Sequence, residues 1–104
     1  MKTKVRVGSQ VENFIAALAP EPRRAVCRAL KALADNQGDI KQLEGKLAGY
    51  WRLHVRWVRV IFEIKAAHGE RIIFCFYANY RPVIYAILEQ LLASGLVEGI
   101  KGQS

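Results

Sequence analysis

The chain is expected to fold as an α+β domain, and three observations carry that expectation. Apolar residues in the first third recur with a helical period, those from Trp51 onward alternate with a period of two, and a helical stripe returns near the C-terminus. The predicted architecture is an N-terminal strand and a helical hairpin packed on a small antiparallel sheet, with a C-terminal helix. At 104 residues the chain makes one domain, 1–104. A fold of this size buries only about 60 to 68% of its unfolded surface.

Residues 3–7 alternate polar and apolar and contain two valines, which predicts a short strand. Ser9-Gln10-Val11-Glu12 has capping-box spacing, so a helix is expected to begin there with Ser9 as its cap. Val11, Phe14, Ile15 and Leu18 form its apolar stripe, and Pro20 stops it. Glu21 and Pro22 restart a helix whose stripe is Val26, Ala29, Leu30 and Leu33, ended by residues 36–39. Residues 41–49 read as a loop. Beyond it Trp51, Leu53 and Val55 point one way and Arg52, His54 and Arg56 the other. After a two-residue turn at Arg56 and Trp57, the apolar set resumes with Val58, Val60, Phe62 and Ile64, leaving Arg59, Ile61 and Glu63 opposite. Residues 66–70 turn around Gly69, and residues 71–77, apolar on both sides, predict an internal strand. Residues 79–82 lead into a last helix with the stripe Val83, Ile84, Ile87, Leu88, Leu91 and Leu92, terminated by Ser94-Gly95.

Composition narrows the function classes. A 52% apolar content excludes a mostly disordered chain. No apolar run approaches the roughly 20 residues that cross a bilayer, so no membrane role is expected. Residues 1–6 are basic but lack a following apolar export segment, which makes the cytoplasm the expected location. Cys27 and Cys75 are too few and too distant for a zinc site and are expected to be reduced, small apolar packing residues. The net charge is +7. Residues 46–81 hold seven basic and two acidic side chains, net +5, against −1 for residues 82–104. An anionic partner suits that imbalance, although basic residues also serve plain solubility.

The hairpin register concentrates this charge. A two-residue turn sets Val55 opposite Val58, His54 opposite Arg59 and Arg52 opposite Ile61, so three cationic side chains share one face. Their spacing, about 5 to 7 Å, matches one phosphate and its neighbours. The plain alternative is a solvated sheet face with Arg52 or Arg59 paired to Glu63. His54 is the candidate for proton transfer or for added positive charge, whereas His68, in a polar turn, is assigned no role. Arg81 and Tyr85, four apart at the start of the last helix, are expected to face the same site.

The ordered string Leu43-x-Gly45-x-Leu47-x-Gly49-x-Trp51-Arg52-Leu53, followed by Arg59-Val60-Ile61-Phe62, resembles the RelE/ParE superfamily of bacterial toxins from type II toxin–antitoxin pairs. That superfamily's C-terminal element reads His-Arg-x-x-x-Tyr. This chain has Tyr80-Arg81-Pro82-Val83-Ile84-Tyr85, matching the Arg and Tyr and departing at the His. The resemblance runs from the first strand to the last helix and fades after Ser94. It implies a RelE-like microbial ribonuclease fold and, in the ribonuclease branch, metal-free cleavage in the ribosomal A site, where the 2′-hydroxyl of messenger RNA attacks the adjacent phosphate. On that resemblance Arg52 and His54 fall where the branch uses basic residues, Arg59 where it uses a phosphate-binding arginine, and Arg81 and Tyr85 where it uses an arginine and a tyrosine. Arg81 and Arg59 would neutralise the phosphorane, and Tyr85 or His54 would handle the 2′-proton. Many relatives carry a pair such as Gly-Asp in the hairpin turn, where this chain has Arg56-Trp57; Trp57 is expected to stack on a base or pack against the tail. Lys46, Arg56 and Trp57 are the further RNA-binding candidates. The expected partners are a cognate antitoxin, the ribosome and messenger RNA, with no cofactor, metal or small-molecule ligand. The alternatives are a ParE-like inhibitor of DNA gyrase that cuts nothing, and an inactive toxin fold that only binds an antitoxin. Arg59, Arg81 and Tyr85 together favour the ribonuclease.

Overall fold

The computed structural model describes residues 2–80 and 84–95, with Ile84 and Tyr85 described in their backbone alone. Strand β1 (Lys2–Val7) runs almost directly into helix α1 (Ser9–Ala16). The expected capping box does not form: Gly8 is the N-cap, with no side-chain cap. The sheet sets this boundary. The Gly8 N–H donates to the Cys75 carbonyl at 2.9 Å while its own carbonyl accepts from the Glu12 N–H at 3.0 Å, which places Ser9 inside the first turn. A Cβ on Gly8 would meet the Phe74 ring at 3.4 Å, so close approach to the next strand suits glycine here. Two residues on, the Gln10 carboxamide extends the ladder with its side chain: Nε2 donates to the Ala78 carbonyl at 2.8 Å and Oε1 accepts from the Ala78 N–H at 2.7 Å.

Pro20, expected only to stop α1, is the first residue of α2 (Pro20–Ala32), and both prolines sit where a missing N–H costs nothing. A 3-10 turn at Leu33–Asp35 and a left-handed Asn36, φ 57°, end the hairpin. The chain then forms a strand that the sequence reading missed. β2 (Asp39–Gln42) pairs antiparallel with β3 (Trp51–Val55), so Asp39 opens a strand instead of closing the helix, and Lys41 and Gln42 belong to the sheet and not to the loop.

β4 (Val58–Ala67) and β5 (Glu70–Tyr80) complete a five-stranded sheet in the order β1-β5-β4-β3-β2. It is antiparallel from β2 to β5, with β1 added in parallel. The β3–β4 register is the expected one, Val55 opposite Val58, His54 opposite Arg59 and Arg52 opposite Ile61. The β4–β5 turn is tighter than expected, with His68 and Gly69 both at positive φ, 52° and 73°, as the right-handed twist of a two-residue hairpin favours. A bulge interrupts that pairing: Ile61 faces Tyr77 but Phe62 faces Cys75, leaving Phe76 without an opposite number.

The two sheet faces build two cores. Under α1 and α2, Leu53, Val58, Val60, Phe62, Ile73 and Cys75 pack with Val11, Val26 and Leu33, and the Trp51 and Phe62 rings lie nearly parallel 6.4 Å apart. On the other face Leu88 of α3 (Ile84–Ser94) is buried with Leu47, Tyr50, Ile61, Phe76 and Tyr77. Gly95, φ 77°, ends α3 as expected, donating to the Leu92 carbonyl at 3.3 Å. Cys75 is buried, and desolvation pushes its thiol from 9.0 up to about 12. Cys27 corrects the expectation of apolar packing: it is exposed, lying one step off the α2 stripe. Among the described residues no helix is long and apolar enough to cross a membrane.

Candidate nucleic-acid interface

The face shared with α3 carries the expected cationic side chains. Pairing places Asp39, His54, Arg59 and Asn79 in one row across β2, β3, β4 and β5, and Lys41, Arg52, Ile61 and Tyr77 in the next. Arg52, His54 and Arg59 therefore converge as the sequence implied. Their accessibility differs. The His54 side chain is 33% exposed and Arg52 16%, whereas Arg59 is 6% exposed, with Nη1 3.5 Å from the Val58 carbonyl. Glu63, four residues along on the same face, is 4% exposed. Such burial does not match a solvated sheet face.

Asp39 is the residue the sequence reading missed. Its Oδ2 is 3.0 Å from His54 Nδ1 and its Oδ1 3.5 Å from Arg52 Nη1, a carboxylate set between an imidazole and a guanidinium. His54 Nε2 in turn faces the Arg56 carbonyl. Carboxylate and carbonyl oxygens only accept, so both contacts are satisfied together when both ring nitrogens carry protons. The buried Arg52 Nη1 makes no hydrogen bond, its contact with Asp39 being an ion pair at longer range. Only the alternation Asp39, Ile40, Lys41 after Gly38 could have signalled this strand, and four residues with one apolar member make a weak signal.

The remaining candidates are dispersed. Arg56, left-handed at φ 56°, places Nη2 2.7 Å from Glu21 Oε1 on α2. Trp57 stands 53% exposed at the tip of the hairpin, and Lys46 is exposed in a 3-10 turn, Gly45–Leu47. Arg81 lies outside the described residues. Tyr85 is the second residue of α3, its side chain likewise outside them. Among the described residues no three His, Cys, Asp or Glu side chains gather as a metal site requires.

This strand order, flanked by an N-terminal helical hairpin and a C-terminal helix, has solved counterparts. The fold is that of RelE-type toxins. It matches a chain of the RelBE2 toxin–antitoxin complex from Mycobacterium tuberculosis with a TM-score of 0.61 at 19% identity, covering 78% of this chain and 100% of that one. A YoeB/ParE toxin from Agrobacterium tumefaciens matches with a TM-score of 0.58 at 16% identity, over 75% of this chain and 98% of the other. A chain of the RelB–RelE antitoxin–toxin complex from Methanococcus jannaschii matches at 0.56 and 16%, over 79% and 96%. No protein-family profile and no curated protein matches the sequence.

Proposed function

We propose that the protein is the toxin of a type II toxin–antitoxin pair, a metal-independent endoribonuclease that cuts messenger RNA on the ribosome in the cytoplasm. The observation that carries this reading is the convergence of Arg52, His54 and Arg59 on one face of β3 and β4 within a RelE-type fold. In the proposed reaction the RNA 2′-oxygen attacks the adjacent phosphorus and the bond to the 5′-oxygen breaks. The arginines neutralise the charge that grows on the phosphorane, an effect worth about 3 to 4 kcal/mol per well-placed donor. His54, held between Asp39 and the Arg56 carbonyl, sits beside the arginines as the candidate for added positive charge. By the family resemblance Tyr85 is then the candidate to accept the 2′-proton and Arg81 a further phosphate ligand.

A cognate antitoxin is the proposed regulator. Two of the structural neighbours come from complexes with antitoxins, and Ile87, Leu91 and Leu92 of α3 remain only partly buried. An acidic amphipathic segment laid over the sheet and α3 would cover that stripe and mask the cationic face. Primer extension on RNA from cells expressing the chain tests the proposal, with cleavage inside translated codons expected and growth restored by the adjacent reading frame. Intact messages together with trapped gyrase–DNA adducts would select the ParE-like reading, to which the YoeB/ParE neighbour lends a specific likeness.

A further inference from the structure

A cleft opens beside the cationic cluster and shares one of its residues. It has a volume of about 280 Å³ and is lined by Lys41, Gln42, Leu43, Glu44, Leu47 and Arg52. Lys41 on β2 is the register partner of Arg52 on β3, so the guanidinium that borders the proposed phosphate site also walls this cleft. The opposite wall is rigid. Leu43 donates to the Tyr50 carbonyl at 2.9 Å, Leu47 to the Glu44 carbonyl at 3.2 Å and Tyr50 to the Leu47 carbonyl at 3.1 Å, and Leu47 and Tyr50 are anchored in the core. Among the described residues the side chains of Lys41, Gln42 and Glu44 make no hydrogen bond or ion pair, and Arg52 Nη1 has no hydrogen-bond partner.

Two leucines beside uncommitted donors and an uncommitted carboxylate match the chemistry of an unpaired nucleobase, which has flat apolar faces and a hydrogen-bonding edge. We propose that this cleft binds the nucleotide next to the one cleaved, with Leu43 and Leu47 against the base, Glu44 accepting from its edge and Lys41 on the neighbouring phosphate. The proposal deepens the ribonuclease reading and rests on it. Glu44 only accepts, so it selects bases that present an amino group. Uracil is disfavoured, because its lone N3–H lies between two carbonyls that repel the second carboxylate oxygen. Lys41 contributes charge without selecting sequence.

The test uses the whole protein and short single strands of 2′-O-methyl oligocytidine and oligouridine, which cannot be cleaved, with binding read by fluorescence anisotropy. Wild type is expected to favour oligocytidine by about fivefold or more. Glu44→Gln should abolish that preference, and Lys41→Ala should weaken both ligands alike and lower the salt slope by about one. Equal affinity of wild type for the two strands, or an intact preference in Glu44→Gln, overturns the proposal. Cleavage of messenger RNA without this preference would sink the cleft assignment alone. The preference without cleavage would sink the nuclease reading and leave the base-binding cleft.

Discussion

Strand β4 offers its two faces for comparison on a single backbone. Toward α1 and α2 it turns Val58, Val60 and Phe62, and toward α3 it turns Arg59, Ile61 and Glu63; all six are buried. Depth therefore does not distinguish the two faces. Chemistry does, because burying a guanidinium or a carboxylate costs several kcal/mol before any partner compensates, whereas burying valine is favourable outright. On the α3 face a domain of 104 residues bears that cost at both Arg59 and Glu63.

Emptying the dry face should give the largest change. Phe62→Ala removes a fully buried ring stacked on Trp51 and is expected to lower stability by about 3 to 5 kcal/mol, as read by urea unfolding. A loss below 1 kcal/mol would mean that this face is not the main core. On the charged face Arg59→Ala should lower cleavage by about 10² to 10³-fold, measured on programmed ribosomes at a temperature where circular dichroism shows both proteins folded. Arg59→Lys, which keeps the charge but loses the planar fork, should fall between them. Wild-type rates in both variants would return Arg59 to a purely structural part.

Cys75 sharpens the contrast through pH. Its thiol titrates near 12 in the folded protein against 9.0 in the free chain, so below pH 9 both states hold the proton and the group adds no pH dependence. Above that, the unfolded chain gives up the proton first, and stability should fall as pH rises from 9 toward 12. Cys75→Val should lack this component in melts across the range. A thiol reagent at pH 8 should label Cys27 quickly and Cys75 only on unfolding; two fast thiols would contradict the burial. The smallest effect belongs to the hairpin tip. Arg56→Gly relieves a left-handed non-glycine residue at φ 56° but gives up an exposed ion pair with Glu21. The first is worth about 1 to 2 kcal/mol and the second about 0 to 1, so a slight gain in melting temperature is expected. A clear loss would show that the Glu21 contact fixes the hairpin.

What was legible in the sequence follows from how many residues spoke for each element. The β3–β4 register was legible because ten residues alternate around a two-residue turn, and any slip would have turned Leu53 and Val60 to the wrong face. β2 was not, since Ile40 is its one apolar residue and its place comes from pairing with β3. Asp39 was lost with it, and so was the reading of His54, whose neighbours are fixed by a strand and a carbonyl that no local pattern announces. The capping box failed for a related reason: a local motif competed with a ladder from β5, and the ladder fixed Gly8 first. For the site, the sequence located Arg52, His54 and Arg59 together but carried no sign that Arg59 is buried while His54 stays accessible.

The bulge opposite Phe62 makes one position of β5 dispensable in a way its neighbours are not. Removing a residue elsewhere in the strand would invert every side chain beyond the cut, exchanging Ala78 for Asn79 and setting an amide into the dry core. Removing Phe76 would instead close the bulge into a continuous ladder, with Tyr77 and Cys75 keeping both their faces and their partners on β4. The loss would be one aromatic ring from the cluster beneath α3. Chain length in this sheet is thus elastic at a single point, and a shortened protein that still displays the Arg59–His54 row is the expected product of that deletion.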